Sequence, residues 1–345
     1  MNLKELSKLL NLSATTVSRA LNGYPEVNAA TRARVVEAAR RYGYAPNQVA
    51  KRLATGRALT IGHVVPLSGH QMINPFFSEF IAGAGEAYSA GGYDMLVSIV
   101  PEAEEAEAYG AMARHQKVDG VIVHGPKLLD PRIDLLHELG VPFIVHGRDS
   151  RPERDYCWID MNNRRAFLRA TEFLLDLGHR RIALLNGPET MQFAHRRRRG
   201  YEDALAARGL APDPALMRGA DMTESYGHGE ALRMMEGHDP PTAFLTASIL
   251  VAFGALRAVR ELALEPGRDV SIVTHDDDLS FLKNSGAVPL FTATRSSIRA
   301  AGRRAAEMLI DHIENPRAEP SRELWEADLT LGRSTGPPQH EARHG

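Results

Sequence analysis

Ser13-Ala14-Thr15-Thr16-Val17-Ser18-Arg19-Ala20-Leu21-Asn22 reads as a short helix with two unlike faces. Ser13 is a good N-cap, Val17, Ala20 and Leu21 turn inward, and Ala14, Thr15, Ser18, Arg19 and Asn22 are left on the outer face. Upstream, Asn2 caps a helix over 3–10 with Leu3, Leu6 and Leu9 or Leu10 at helical spacing, and Asn11 tolerates the left-handed turn that ends it. Two short helices joined so tightly predict a helix-turn-helix, with small Ser7 at the close approach and Val17 as the anchor. Downstream, Asn28 caps a third helix from about Ala29 to Tyr42, ended by Gly43, with Val35, Ala39 and Tyr42 facing inward.

Charge says what the outer face meets. Residues 1–58 carry ten Lys or Arg against three acidic residues, whereas residues 59–345 carry 31 against 40, a contrast hidden in the overall net charge of −2. A basic three-helix module points to DNA. Arg19 suits a guanine edge, Thr15 and Thr16 suit bases or phosphates, and Asn22, Asn28 and Thr31 suit phosphates at helix ends. Residues 46–56 allow only about two helical turns, marginal alone in water. They read either as a plain linker or as a hinge that orders on DNA, with Leu53 as a minor-groove wedge and Lys51 and Arg52 near phosphates.

At 345 residues, 43% hydrophobic and 24% charged, the chain has room for two or three cored domains. The single cysteine, Cys157, allows no intramolecular disulfide and reads as a small buried apolar residue, as in a reducing cytosol. No apolar run nears the ~20 residues of a membrane span and no secretory signal opens the sequence, so a cytoplasmic protein with no membrane partner is expected. The 14 histidines are scattered without a metal-ligand motif, so no metal, cofactor or catalytic residue is expected.

From Leu59 the pattern changes. Apolar runs at Leu59–Val65, Tyr93–Val100, Val118–His124 and Pro142–His146 alternate with helical segments, and the alternation restarts at Arg181–Asn186, Ala215–Gly219, Thr242–Thr246 and Val270–His275. About eight strands divided around Asp160 predict two doubly wound lobes. Ligands of such sheets bind past the carboxyl ends of the strands. There stand Asn74-Pro75-Phe76-Phe77, His124, His146-Gly147-Arg148 and His275-Asp276-Asp277-Asp278. Aromatic rings for a sugar face, with carboxylates and guanidinium groups for paired hydroxyls, make a carbohydrate-like site.

Thr16-Val17-Ser18-Arg19-Ala20-Leu21-Asn22, Val27, Thr31-Arg32 and Tyr44-x-Pro46-Asn47-x-x-Ala50-x-x-Leu53 resemble the N-terminal signature of the lac repressor and galactose repressor family of bacterial transcriptional regulators. The resemblance runs through Gly178-His179-Arg180-Arg181-Ile182-Ala183 and Arg197-x-x-Gly200-Tyr201 to Arg333-Ser334-Thr335. It implies an all-α helix-turn-helix headpiece (1–45), a hinge helix and linker (46–58), and an α/β periplasmic-binding-protein-like core of two doubly wound lobes (59–335), with a flexible tail at 336–345. Lobe 1 is expected at about 59–160 plus 292–320, and lobe 2 at about 161–291 plus 321–335.

By the same resemblance Ala14, Thr15 and Arg19 read the major groove, while Asn47, Ala50 and Leu53 belong to the DNA-contacting hinge, Leu53 intercalating at the operator centre. Small Ala14 leaves the operator sequence open. In the core, Arg197 is implied as the effector contact, with Asp276, Phe77 and His124 at other pocket positions; Phe76, Arg148 and Trp158 are further candidates. Two segments depart from the pattern. Ala247-Ser248-Ile249 replaces the usual Asn-Asp, leaving Ser248 to bond a hydroxyl, and Val273-Thr274-His275-Asp276-Asp277 lacks the usual glycine. Thr274-His275-Asp276 and His146-Gly147-Arg148 resemble segments of α-glucoside-responsive members. Of Arg196 to Arg199, only one is expected to face the cleft.

The implied protein is a repressor-type regulator, a homodimer on a near-palindromic operator, allosterically controlled by a sugar or related metabolite. Two rivals share parts of the pattern. A solute-binding transport protein would have no use for Arg19, and a hydrolase holding a cation on Asp276, Asp277 and Asp278 would need a further acidic cluster. Neither accounts for residues 1–58.

Overall fold

The structure is a computed structural model that describes residues 1–21, 24–44, 56–67, 75–151 and 154–339. It divides into two compact units, Met1–Ala58 and Leu59–Gly345.

The first unit contains α1 (Leu3–Leu10), α2 (Ala14–Leu21) and α3 (Ala29–Arg41). Each helix begins where a side chain satisfies an otherwise orphaned amide. The Asn2 side chain accepts from Glu5 N at 2.9 Å while the Glu5 carboxylate accepts from Asn2 N at 3.0 Å. Ser13 Oγ accepts from Thr16 N at 3.0 Å, and Asn28 Oδ1 from Thr31 N at 2.8 Å. Asn11 closes α1 at φ +52°. Leu6, Val17, Ala20, Val27, Val35, Ala38 and Ala39 form one core. Tyr42, expected inside, is exposed beneath the Arg41 guanidinium; α3 has already ended at Arg41, so Ala38 fills that inner position instead.

The second unit contains two six-stranded sheets. The first runs β11-β5-β4-β3-β1-β2, with β1 Thr60–Pro66, β2 Asp94–Val100, β3 Gly120–His124, β4 Phe143–His146, β5 Cys157–Met161 and β11 Arg322–Trp325. The second runs β12-β10-β9-β8-β6-β7, with β6 Ile182–Asn186, β7 Met217–Gly219, β8 Ala243–Thr246, β9 Ser271–Asp276, β10 Thr292–Arg295 and β12 Asp328–Thr330. All neighbours are parallel except β12 on β10. Strand order reverses at β1/β3 and at β6/β8, the switch points where such sheets open a crevice.

The order corrects the expected lobes. Thr292–Arg295 pairs with β9 in lobe 2, whereas the next helix, Ile298–Glu314, sends Ala305, Met308 and Leu309 into the lobe 1 core with Ile61 and Tyr88. Arg322–Trp325 then pairs with β5 in lobe 1, and only Asp328–Thr330 returns to lobe 2. The segment 321–335, expected whole in lobe 2, therefore supplies one strand to each sheet. Periodicity marks a strand but does not name its neighbour, and β5 and β10, interrupted by Asp160 and by threonines, lack the apolar runs that marked the other strands.

Candidate functional site

On the first unit, Ala14, Thr15 and Arg19 are exposed along α2, with Ser18 half-buried beside them. Thr16 serves the cap, its hydroxyl 2.8 Å from Ser13 Oγ. Asn28 spends Oδ1 on the start of α3, where Thr31 supplies the amide. Asn22, Asn47, Ala50 and Leu53 lie outside the described residues, as do Asn74 and residues 46–55 of the hinge and linker expected at 46–58.

Between the lobes of the second unit lies a cleft of about 700 Å³. It is bordered by the strand ends the topology predicts, among them His124, His146, Asp160 and His275. The lobes meet along its rim: Gln192 N donates to Pro126 O at 3.0 Å and Ser280 N donates to the Glu79 carboxylate at 2.7 Å. Arg196 of lobe 2 donates to Asp160 of lobe 1 at 2.5 Å, and Arg148 donates to the same carboxylate oxygen at 2.9 Å.

Arg197 dominates the lobe 2 wall. It is 6% exposed, its guanidinium lies 5.0 Å from the ring centroids of both Phe167 and Phe193, and it donates to Asn163 Oδ1 at 2.7 Å and to Ala247 O at 2.6 Å. Burial lowers its pKa to about 10, with Asp277 and Asp160 opposing that shift, so it is charged at neutral pH. Gly200, one turn on, makes the placement possible: a Cβ there would lie 2.1 Å from Arg164 O on the neighbouring helix. The spacing Arg197-x-x-Gly200 thus pairs a projecting cation with the helix contact that aims it.

Asp277 borders the cleft, whereas Asp276, the expected ligand carboxylate, does not. Asp276 accepts from Asp278 N at 2.9 Å and so folds into its own loop. Burial raises the pKa of Asp277 to about 7, against the lowering charge of Arg197. Ser248 is likewise withdrawn, fully buried and capping the helix Ile249–Glu261 through Val251 N. Trp158 stands behind Arg148, whose guanidinium is 5.0 Å from its ring. Phe76, Phe77, His124, Arg148 and Arg197 do come together at the cleft.

Not one but two of the four consecutive arginines border it, Arg196 and Arg197, because a helix beginning at Gln192 presents both as it enters the crevice. Arg198 instead bonds Glu189 and Glu202. Sequence reasoning passed over Asp160 as a cleft residue, together with Phe193 and Trp325, which also line it. The position of Asp160 at a strand end is the signal that pointed there.

The lobe 1 wall is aromatic. Phe77 and Phe80 meet the His124 ring edge-on, at centroid distances of 5.2 and 4.8 Å, and Phe80 lies 4.6 Å from His146. His63, His124 and His146 are all held neutral by burial, His63 with a pKa of about 3 and His146 about 4.

The acidic run offers no cation cage. Asp278 is bonded to Arg295 at 2.7 Å and Lys283 at 3.0 Å, and among the described residues no group of three His, Cys, Asp or Glu could hold a metal ion. No described helix is long and apolar enough to cross a membrane.

Comparison with known proteins fits both units. Residues 2–47 match the model of bacterial regulatory proteins of the lacI family, and residues 171–335 match the periplasmic binding protein-like domain. The HTH-type transcriptional regulator AglR of Rhizobium meliloti (strain 1021) is 48% identical over 339 residues, covering 98% of this chain and 95% of the relative.

The chain belongs to the lacI family.

Another lacI-type relative, the HTH-type transcriptional regulator CelR of Thermobifida fusca, is 31% identical over 334 residues, covering 96% of this chain and 97% of that one. Among solved structures, the transcriptional regulator CelR–cellobiose complex aligns with a TM-score of 0.71 at 30% identity, covering 97% and 99% of the two chains. The lac repressor dimer bound to operator and the anti-inducer ONPF aligns at 0.77 and 25%, with the same coverage. This lacI-family chain is therefore a helix-turn-helix DNA-binding transcriptional regulator, with a headpiece and a two-lobed periplasmic-binding-like core.

Proposed function

We propose that the regulator takes an uncharged sugar of disaccharide size as its effector and acts by binding rather than catalysis. The observation that carries this is the buried Arg197 clamp, set with Asp277 on the lobe 2 side of a cleft whose lobe 1 wall is aromatic. A guanidinium fixed by two bonds and two rings meets vicinal hydroxyls without rotamer cost, and rings such as Phe77 and Trp325 suit the C–H face of a pyranose. Charge supports neutrality of the effector: three other cleft cations already have carboxylate partners, Arg132 with Glu105 and both Arg148 and Arg196 with Asp160, and the charge of Arg197 is opposed by nearby Asp277 and Asp160. The volume suits a small ligand, and the similar CelR structure carries cellobiose. An α-glucoside is the preferred class, from the Thr274-His275-Asp276 and His146-Gly147-Arg148 segments.

On the DNA side, Ala14, Thr15 and Arg19 read the major groove, Thr16, Ser18, Asn28 and Thr31 serve the backbone, and Asn22, Asn47, Ala50 and Leu53 complete the contact set. The regulator works as a homodimeric repressor in the cytoplasm, on two half-sites of a near-palindromic operator. Effector binding changes lobe closure, so effector and operator affinities shift each other by one coupling free energy, about 1–3 kcal/mol. Calorimetry with maltose, trehalose, sucrose and cellobiose tests the sensor. Heat from at least one, abolished by Arg197→Ala, is expected, and no heat from any of the four would end the sugar reading.

A further inference from the structure

His63 is a polar residue in the middle of an otherwise apolar strand, and it is fully buried. Both ring nitrogens are engaged: Nδ1 is 2.9 Å from His124 Nε2, and Nε2 is 2.9 Å from the hydroxyl of Tyr88, a side chain 2% exposed on the helix Pro75–Gly91. Tyr88, His63 and His124 thus form a chain of hydrogen bonds from the lobe 1 core to the cleft wall.

A neutral imidazole holds one N–H and one bare nitrogen, so the chain has two consistent proton arrangements. In the first, Tyr88 donates to His63 Nε2, His63 Nδ1–H donates to His124 Nε2, and the proton of His124 sits on Nδ1. In the second, every bond runs the other way, and the phenol proton must find a further acceptor. Among the described residues Tyr88 Oη has no partner but His63. The second arrangement buries an unpaired O–H, which costs about 1–3 kcal/mol; the first leaves no group of the lobe 1 core unpaired, and its one free donor belongs to His124, which borders the cleft. Burial keeps all three groups neutral, since the His63 and His124 pKa values are lowered and that of Tyr88 is raised. The first arrangement therefore persists across the physiological range.

We propose that Tyr88 and His63 are positioning residues that fix the tautomer of His124, so that it presents an Nδ1–H donor to the cleft and selects a sugar acceptor oxygen, such as a ring or glycosidic oxygen. The inference rests on the sugar reading of the cleft. Neither Tyr88 nor His63 borders the cleft, whereas His124 does. His124 is braced against rotation by Phe77 and Phe80.

The test is long-range proton–nitrogen NMR on the full chain with ¹⁵N-histidine. Free of sugar, His63 and His124 should both carry their proton on Nδ1. The Nδ1–H of His124 should shift on titration with whichever of maltose, trehalose, sucrose and cellobiose binds. Tyr88→Phe, which removes the terminal donor while keeping the ring, should mix the tautomers of both histidines and weaken that sugar about five- to tenfold. His124 protonated on Nε2 in the free protein, or tautomers unchanged in Tyr88→Phe, would overturn the relay. A sugar that binds without moving His124 Nδ1–H would overturn its recognition role. If none of the four sugars binds while the tautomers are as stated, the sugar reading fails and takes the assigned acceptor with it, leaving the relay itself standing.

Discussion

Asp160 at the end of β5 and Arg196 of the opposite lobe are joined by a 2.5 Å ion pair, with Asp160 6% exposed. Burial raises the Asp160 pKa, and the charges of Arg196 and Arg148 work against that shift. Two guanidinium groups, one from each lobe, thus bear on one buried carboxylate, and closure of the cleft is tied to that contact.

Removing one partner tests that link. Arg196→Ala leaves Asp160 with Arg148 alone, so the cost should fall below the about 3–5 kcal/mol of an orphaned buried charge. We expect a stability loss on the order of 1–2 kcal/mol by urea denaturation, with weaker effector binding by calorimetry and intact operator binding without effector.

Arg197→Lys keeps the charge and loses the planar fork that reaches Asn163 and Ala247 while lying between two rings. Lysine cannot reproduce that geometry. Effector affinity should fall at least about tenfold, or ~1.4 kcal/mol, in a calorimetric titration, and retardation of operator DNA should be unchanged.

Gly200→Ala places a methyl group 2.1 Å from Arg164 O, and the two helices must separate. Overpacking of this kind costs about 1–3 kcal/mol. The melting temperature should drop, and effector binding should weaken with it because Arg197 sits one turn away on the displaced helix.

Asp277 gives a pH signature of definite sign. Its folded-state pKa, about 7, exceeds the ordinary 3.8, so between these values the folded protein holds a proton that the unfolded chain has lost. Its contribution to stability is thus fully present at low pH and is lost as pH rises toward 7. Asp277→Asn cannot titrate, so its stability relative to the parent should rise from about pH 5 to about pH 8. Urea midpoints of the two proteins at both pH values check this. His63 and His146, lowered from 6.5, act in the opposite sense, losing stability as pH falls below 6.5, but they are common to both proteins and cancel in the difference.

Legibility followed locality. The three headpiece helices announce themselves because Asn2, Ser13 and Asn28 cap within three residues of themselves. The two-lobed core is readable from its alternation, and Arg197 from its spacing to Gly200. The exchange of Thr292–Arg295 and Arg322–Trp325 between sheets depends on strand pairing across more than a hundred residues in the latter case, which no local pattern records. The choice between Asp276 and Asp277 turns on one backbone amide, that of Asp278, because adjacent residues at a strand end point to opposite sides. His63 looks misplaced among valines until Tyr88, 25 residues away, supplies its partner.

The central claim, that one chain couples operator recognition by residues 1–58 to a sugar in the core, is tested most directly by retardation of a near-palindromic operator fragment. Full-length protein should bind it specifically in the presence of excess competitor DNA. Deletion of residues 1–58 should abolish that binding, and the calorimetrically active disaccharide should shift it about five- to 150-fold. Salt-sensitive, sequence-indifferent binding alone, or an operator affinity unmoved by a sugar that occupies the cleft, would contradict it.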